Sequence, residues 1–203
     1  MPVSVTAATG IDAMVHAIEA STSKIKKNVV ADCLARQALE LLGANIRKVC
    51  ATPEDREARA NMLLGSMLAG MAFANAPVGA VHALAYPLGG HFHVPHGLSN
   101  ALVLPYVMDY NMPEASSLYL ELADYCFPEL KGVAEDKKLD EMMIKTSSLS
   151  TDLGLKSTLS EVGVKESDLE LLAGDAMKQT RLLMNNPREM TYDAAFDIYQ
   201  RAL

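Results

Sequence analysis

The apolar residues of this chain recur at helical spacing over most of its length. Between residues 28 and 50 they fall every three to four positions, as on one face of an amphipathic helix: Val30, Cys33, Leu34, Leu41, Leu42, Ile46 and Val49. No alternating pattern of apolar and polar residues, which would predict a strand, continues for any length. The expected fold class is therefore all-α.

Capping residues predict where several helices begin. Thr9 is expected to cap a helix over residues 10–21, and Thr52, followed by a proline and two acids, to cap the helix after residue 50. Residues 167–185 and 191–203 are expected to form two further helices. The polar segment over residues 131–140 is expected to be a surface loop.

Charged residues are absent between Arg59 and Asp109, although they make up 21% of the chain. A stretch of this kind is expected to lie mostly inside the fold. Its apolar run over residues 62–74 is too short to span a membrane, and glycine, proline and histidine interrupt the residues after it. The sequence therefore predicts a buried core and no membrane partner.

Charge and cysteine content narrow the class of protein further. The formal net charge is -7 and the longest basic run is Lys26-Lys27, which argues against nucleic acid as a partner. Cys33, Cys50 and Cys126 are scattered, and the first residues lack the basic and apolar segments of a signal peptide. A cytoplasmic protein is expected.

Histidines and one aspartate form the candidate chemistry. Asp12 and His16 are four residues apart, so on a helix they project from the same face. A turn at residues 87–90 could bring His82 and His96 to the same point. Three imidazole nitrogens and one carboxylate oxygen suit Fe(II) or Zn(II), with a position left open for substrate.

The residues alone leave other interpretations open. An Asp-x-x-x-His pair on a helix is often a surface or capping pair, and a histidine in an apolar stretch is often a core residue with a hydrogen-bond partner. Four histidines around an uncharged, glycine-rich segment are harder to explain in this way, because each buried imidazole needs a partner.

Three segments closely resemble the iron-containing alcohol dehydrogenases, group III of the alcohol dehydrogenases, in the dehydroquinate synthase-like superfamily. Residues 6–23 have the sequence TAATGIDAMVHAIEASTS and resemble the first family signature. Residues 69–107 have the sequence AGMAFANAPVGAVHALAYPLGGHFHVPHGLSNALVLPYV and resemble the second. The tail, residues 159–203, is similar to the closing helices of the family. The resemblance implies the multi-helix C-terminal domain of that fold.

The resemblance also implies a metal site and a reaction. Matched by position, the metal ligands are Asp12, His16, His82 and His96. A divalent iron, or zinc, would act there as a Lewis acid on the alcohol oxygen and ease hydride transfer to NAD or NADP. The implied substrates are small alcohols, oxidised to an aldehyde or ketone, or the reverse.

Two departures from the family pattern affect these expectations. Tyr86 stands where many members carry a further histidine near the nicotinamide. A phenol is a poorer proton carrier at neutral pH, so Tyr86 is expected to line the catalytic site while His91 or His93 substitutes in the proton route. No segment matches the glycine-rich turn of the family's dinucleotide-binding domain. The pair Gly89-Gly90 does not qualify, because it is embedded between histidines and no predicted strand precedes it.

The domain organisation expected from these departures is a single helical unit. Residues 1–203 should form the metal-binding catalytic domain, with the N-terminal dinucleotide-binding domain absent from this chain. Alone, the chain should be inactive and form a homo-oligomer. The alternative is a truncated, non-enzymatic, metal-binding helical oligomer.

Overall fold

The computed structural model describes residues 1–203, which form nine α-helices and no strand. The helices are α1 (Val3–Thr22), α2 (Val29–Ala51), α3 (Arg56–Asn75), α4 (Ala80–Phe92), α5 (His96–Cys126), α6 (Glu135–Asp152), α7 (Leu169–Met177), α8 (Thr180–Leu183) and α9 (Tyr192–Ala202). Short 3-10 turns occupy Pro128–Leu130, Ser160–Val162 and Glu166–Asp168. The all-α prediction is confirmed.

Polar caps set the starts of three helices. The side chain of Asn28 accepts a hydrogen bond from the backbone N–H of Ala31 at 2.9 Å, so α2 begins and ends close to the predicted bounds. Thr191 caps α9 in the same way. The cap of α3 is Asp55 and not Thr52, because its carboxylate accepts from the N–H of Ala58 at 2.9 Å. The expected start after residue 50 was therefore placed too early.

The prediction that Thr9 begins the first helix is wrong. Helix α1 starts at Val3, and the Thr9 hydroxyl donates within the helix to the carbonyl of Val5 at 2.8 Å. Gly10 marks a packing contact instead of a boundary. A Cβ at this position would lie 2.8 Å from Cε of Met62 on α3, so glycine lets the two helices pack closely.

The prediction of a turn at residues 87–90 is also wrong. Helix α4 continues through Pro87 to Phe92, and the chain reverses at His93, whose φ of 54° is left-handed. The reason is packing, because most of α4 is buried and the buried hydroxyl of Tyr199 on α9 donates to the carbonyl of Leu84 at 2.6 Å. These tertiary contacts outweigh the local preference of proline and glycine for a turn.

Two other boundaries differ from the expectation. Only residues 131–134 of the polar segment form a loop, because Glu135 and Asp136 begin α6 and place carboxylates in its first turn, where the helix dipole favours them. The helix expected over residues 167–185 is divided into α7 and α8 at Lys178 and Gln179. This break lets both short helices pack against α4.

The uncharged stretch is only partly buried. Helix α4 and the first half of α5 lie in the core, but α3 presents an apolar face to the exterior. Leu63 is 75% exposed, and Met67 and Met71 are about half exposed. The expectation that the stretch lies mostly inside the fold holds for α4 and the first half of α5 but not for α3, because a lack of charge does not require burial. No single helix is long and apolar enough to cross a membrane; α3 and α4 meet that test only as a pair, bent by 107°.

The helices pack around one continuous apolar core. Helix α1 lies against α2, α3 and α5, whereas α4 lies against α5, α7 and α8, so α5 joins the two groups. The N-terminus of α5 approaches α1 closely at Gly97, where a Cβ would lie 2.4 Å from the carbonyl oxygen of Ala8. This contact brings the first residue of α5, His96, beside α1.

Candidate metal centre

Four side chains from three helices meet at one point of the fold. Asp12 and His16 come from α1, His82 from α4 and His96 from α5. One potential ligand atom from each lies within 4.8 Å of all the others. Ligands about 2.0–2.3 Å from one ion are at most about 4–4.6 Å apart, so small side-chain shifts would close the set on a metal. The geometry fits Fe(II) or Zn(II).

The cluster has a buried side and an open side. The side chain of His82 is 3% exposed and that of Asp12 18%, whereas that of His96 is 47% exposed. The His96 Nε2 lies 3.5 Å and the His82 Nε2 lies 3.8 Å from the same carboxylate oxygen, Oδ1 of Asp12. An ion held here would therefore keep a face towards the exterior.

His16 is enclosed between two rings. It stacks on Phe73 of α3 at a centroid distance of 4.5 Å and on His82 at 4.7 Å. Burial lowers the pKa of His16 to about 4, helped by His82 and His96 and opposed by the carboxylates of Asp12 and Glu19. The ring is thus neutral near pH 7, which is the form that binds a metal.

A fifth residue, Glu19, contacts the cluster from its buried side and was not predicted from the sequence. It is buried, and its Oε2 lies 2.6 Å from Nδ1 of His82 while its Oε1 accepts from the backbone N–H of Val81 at 2.7 Å. A signal existed, because Asp12, His16 and Glu19 follow one another at spacings of four and three on one face of α1.

Asn100, one turn after His96 on α5, was also missed. Its Nδ2 lies 2.5 Å from Oδ1 of Asp12, 3.2 Å from Nε2 of His82 and 3.3 Å from Nε2 of His96. Its Oδ1 is buried without a hydrogen-bond partner. The amide therefore points at the same centre as three of the four ligand atoms.

The electrostatics of the cluster suit a cation. Asp12 and Glu19 contribute two carboxylates, and their only ionic partners are His82 and His96. No lysine or arginine pairs with either one. Two negative charges without a basic counter-charge match the charge of a divalent ion.

The two predicted catalytic side chains are separated. Tyr86 is one turn beyond His82 on α4, is 40% exposed, and has its ring 5.9 Å from that of His96. His91 lies further along α4, near its C-terminal end, and pairs with Asp175 of α7 through Nε2 at 2.5 Å. The structure places Tyr86 at the rim of the cluster and gives His91 a partner elsewhere.

The sequence matches a known protein family over nearly its whole length. The family model for the C-terminal part of the Fe-containing alcohol dehydrogenase family matches residues 6–203. Long-chain-alcohol dehydrogenase 1 of Geobacillus thermodenitrificans is 40% identical over 97% of this chain and 51% of its own length. The 1,3-propanediol dehydrogenase of Klebsiella pneumoniae is 37% identical over 99% of this chain and 51% of its own length.

Solved structures agree with these matches. A 1,3-propanediol oxidoreductase superimposes with a TM-score of 0.93 and 36% identity over all of this chain and 53% of that chain. A sulfoacetaldehyde reductase from Bifidobacterium kashiwanohense, in complex with NAD+, gives 0.86 and 28% identity over all of this chain and 51% of its own. The chain spans about half the length of these relatives. It belongs to the iron-containing alcohol dehydrogenase family and corresponds to the C-terminal part of its members.

Proposed function

We propose that residues 1–203 are the metal-binding catalytic domain of an iron-dependent alcohol dehydrogenase. The complete enzyme would oxidise a small alcohol to an aldehyde or ketone, or catalyse the reverse, with NAD or NADP. The observation that carries the proposal is the convergence of Asp12, His16, His82 and His96 from three helices in a member of this family. Zinc is the alternative metal, because the same donors suit it.

The relatives support the substrate class and the cofactor. Their names specify long-chain alcohols, 1,3-propanediol and sulfoacetaldehyde, which share a hydroxyl or aldehyde group. One of them was solved with NAD+ bound. Because this chain matches only half of each, we propose that the dinucleotide is held by a second domain that precedes residue 1 in the complete enzyme.

Each residue of the cluster has a role in this proposal. Asp12, His16, His82 and His96 would hold the ion, which would supply Lewis-acid polarisation of the alcohol oxygen. Tyr86, at the open rim, would border the substrate. His91, which shares Asp175 with Lys178, lies outside the cluster and would contribute only at a distance from the ion.

Metal retention tests the proposal directly. The chain is purified without chelator, its metal content is measured, and Zn²⁺ affinity is determined by competition with a chromogenic chelator. We expect one ion per chain and loss of retention in His82→Ala. His91→Ala is the matched control, because it removes an imidazole of the same helix that lies outside the cluster. Equal retention in both variants would refute the assignment of His82.

A second candidate function is favoured by the exposed face of α3. Leu63, Met67 and Met71 could be covered by a second copy of the chain, which would make a non-enzymatic, metal-binding homo-oligomer. The two candidates differ in turnover. NADH formation by the complete enzyme supports the first, and a metal-loaded oligomer without turnover in any form supports the second.

A further inference from the structure

We infer that Glu19 is a positioning residue that fixes the tautomer and orientation of His82, and thereby sets the metal affinity of the cluster. The inference rests on the proposed function, since it assigns a role within the same site. Glu19 is not one of the four proposed ligands, and it contacts the cluster through Nδ1 of His82.

The first step concerns the acceptors around His82. The carboxylate of Glu19 can only accept hydrogen bonds, and its Oε2 lies 2.6 Å from Nδ1 of His82, so Nδ1 carries the proton. On the other side of the ring, the NH2 group of Asn100 can only donate, and it lies 3.2 Å from Nε2. Both neighbours therefore favour the same neutral tautomer, with a lone pair on Nε2 aimed at the cluster.

The second step concerns how firmly Glu19 itself is held. Its Oε1 accepts from the N–H of Val81 at 2.7 Å. Val81 is the second residue of α4, so this N–H has no partner within the helix. The residue is only 6% exposed, and burying a carboxylate is costly unless its oxygens are satisfied. Glu19 thus links α1 to the start of α4 through one carboxylate oxygen and orients the His82 ring through the other.

The third step predicts what a near-isosteric change would do. In Glu19→Gln the side chain faces two donors, Val81 N–H and His82 Nδ1–H, with only one oxygen. The Val81 N–H is fixed by the helix, so the oxygen stays with it and the new NH2 group faces Nδ1. Nδ1 of His82 then faces a donor, which favours a proton on Nε2, where the ring can no longer bind a metal. The NH2 group of Asn100 still faces Nε2, so the tautomer shifts towards Nε2–H against that contact. Hydrogen-bond partners of this kind are typically worth about 10- to 100-fold in metal affinity.

Two readouts test the inference. The tautomer of His82 is read from two-bond ¹H–¹⁵N correlations of the metal-free chain labelled with ¹⁵N-histidine, with the signals assigned through His82→Ala. Zn²⁺ affinity is measured by chelator competition. We expect the Nδ1–H tautomer in the parent chain, and in Glu19→Gln a shift towards the Nε2–H tautomer with a Zn²⁺ dissociation constant raised about 10- to 100-fold. Circular dichroism checks that the variant is folded.

Glu161→Gln is the matched control. Glu161 also accepts backbone N–H groups, from Ser157 and Thr158, but lies outside the cluster. Its replacement should leave both readouts unchanged. Parent-like tautomer and affinity in Glu19→Gln would overturn the inference, as would an Nε2–H tautomer in the parent chain, which needs no variant at all. If the parent chain bound no Zn²⁺, the metal proposal would fail, while the tautomer would still decide the role of Glu19.

Discussion

Replacing Gly97 by alanine tests whether the close approach of α1 and α5 holds the metal cluster together. The added Cβ would lie 2.4 Å from the carbonyl oxygen of Ala8, whereas ordinary van der Waals contact begins near 3.4 Å. The two helix backbones must therefore separate by about 1 Å or distort. Overpacking of this kind typically costs about 1–3 kcal/mol, more than the roughly 0.5–1 kcal/mol that alanine gains over glycine in a helix.

The same displacement should weaken metal binding. His96 precedes Gly97, and its Nε2 lies 3.5 Å from Oδ1 of Asp12 across the helix contact. Because metal–ligand distances tolerate only about 0.2 Å, a shift several times larger removes His96 from the set. We expect Gly97→Ala to lower the free energy of unfolding in urea and to raise the Zn²⁺ dissociation constant at least tenfold.

Gly70→Ala is the control for this experiment. Gly70 is a helical glycine of α3, and a Cβ there would meet nothing within 4 Å. This variant should be as stable as the parent chain or up to about 1 kcal/mol more stable, with unchanged metal affinity. If Gly97→Ala behaved like Gly70→Ala in both measurements, the approach of the two helices would not control the site.

Three further predictions concern the surface and the reaction. Met67→Lys should reduce self-association of the chain in sedimentation experiments, whereas Ile144→Lys, at an exposed apolar residue of α6, should not. A monomeric parent chain would contradict self-association through the exposed face of α3. In the complete enzyme, Tyr86→Phe should retain most turnover while His82→Ala loses it, because a phenol is a poor proton carrier at neutral pH; comparable losses would place the hydroxyl in the proton route. The iron-loaded chain alone should form no NADH from ethanol or 1,3-propanediol, because hydride transfer needs the nicotinamide held close to the carbinol carbon; metal-dependent turnover would show a cofactor site within these residues.

The ligand set could be proposed from the sequence because its signals are local. Asp12 and His16 share a helix face by spacing alone, and the family signatures supply His82 and His96. Their convergence could not be derived in this way. It depends on the contact of Gly97 with the backbone of Ala8, which is a relation between helices far apart in the chain.

Two errors in the helix boundaries have the same physical cause. Thr9 and the segment around Pro87 carry local signals for a helix start and a turn, but both lie in helices whose packing outweighs those signals. Glu19 was missed for a related reason. Its position on the same face of α1 as Asp12 and His16 is visible in the sequence. Its contact with the backbone N–H of Val81 cannot be predicted from the sequence, because every residue except proline carries such a group.

The gradient of exposure across the four proposed ligands would have a consequence for the rate of metal exchange. His82 lies on the buried side of the cluster, and both its ring nitrogens have a hydrogen-bond partner. The half-exposed side chain of His96 lies at the rim beside Tyr86. An ion arriving from solvent would meet His96 before it reached His82, and a departing ion would lose His96 first. Replacing His96 would therefore act mainly on the dissociation rate, and the residence time of the ion would be set at the rim of the cluster.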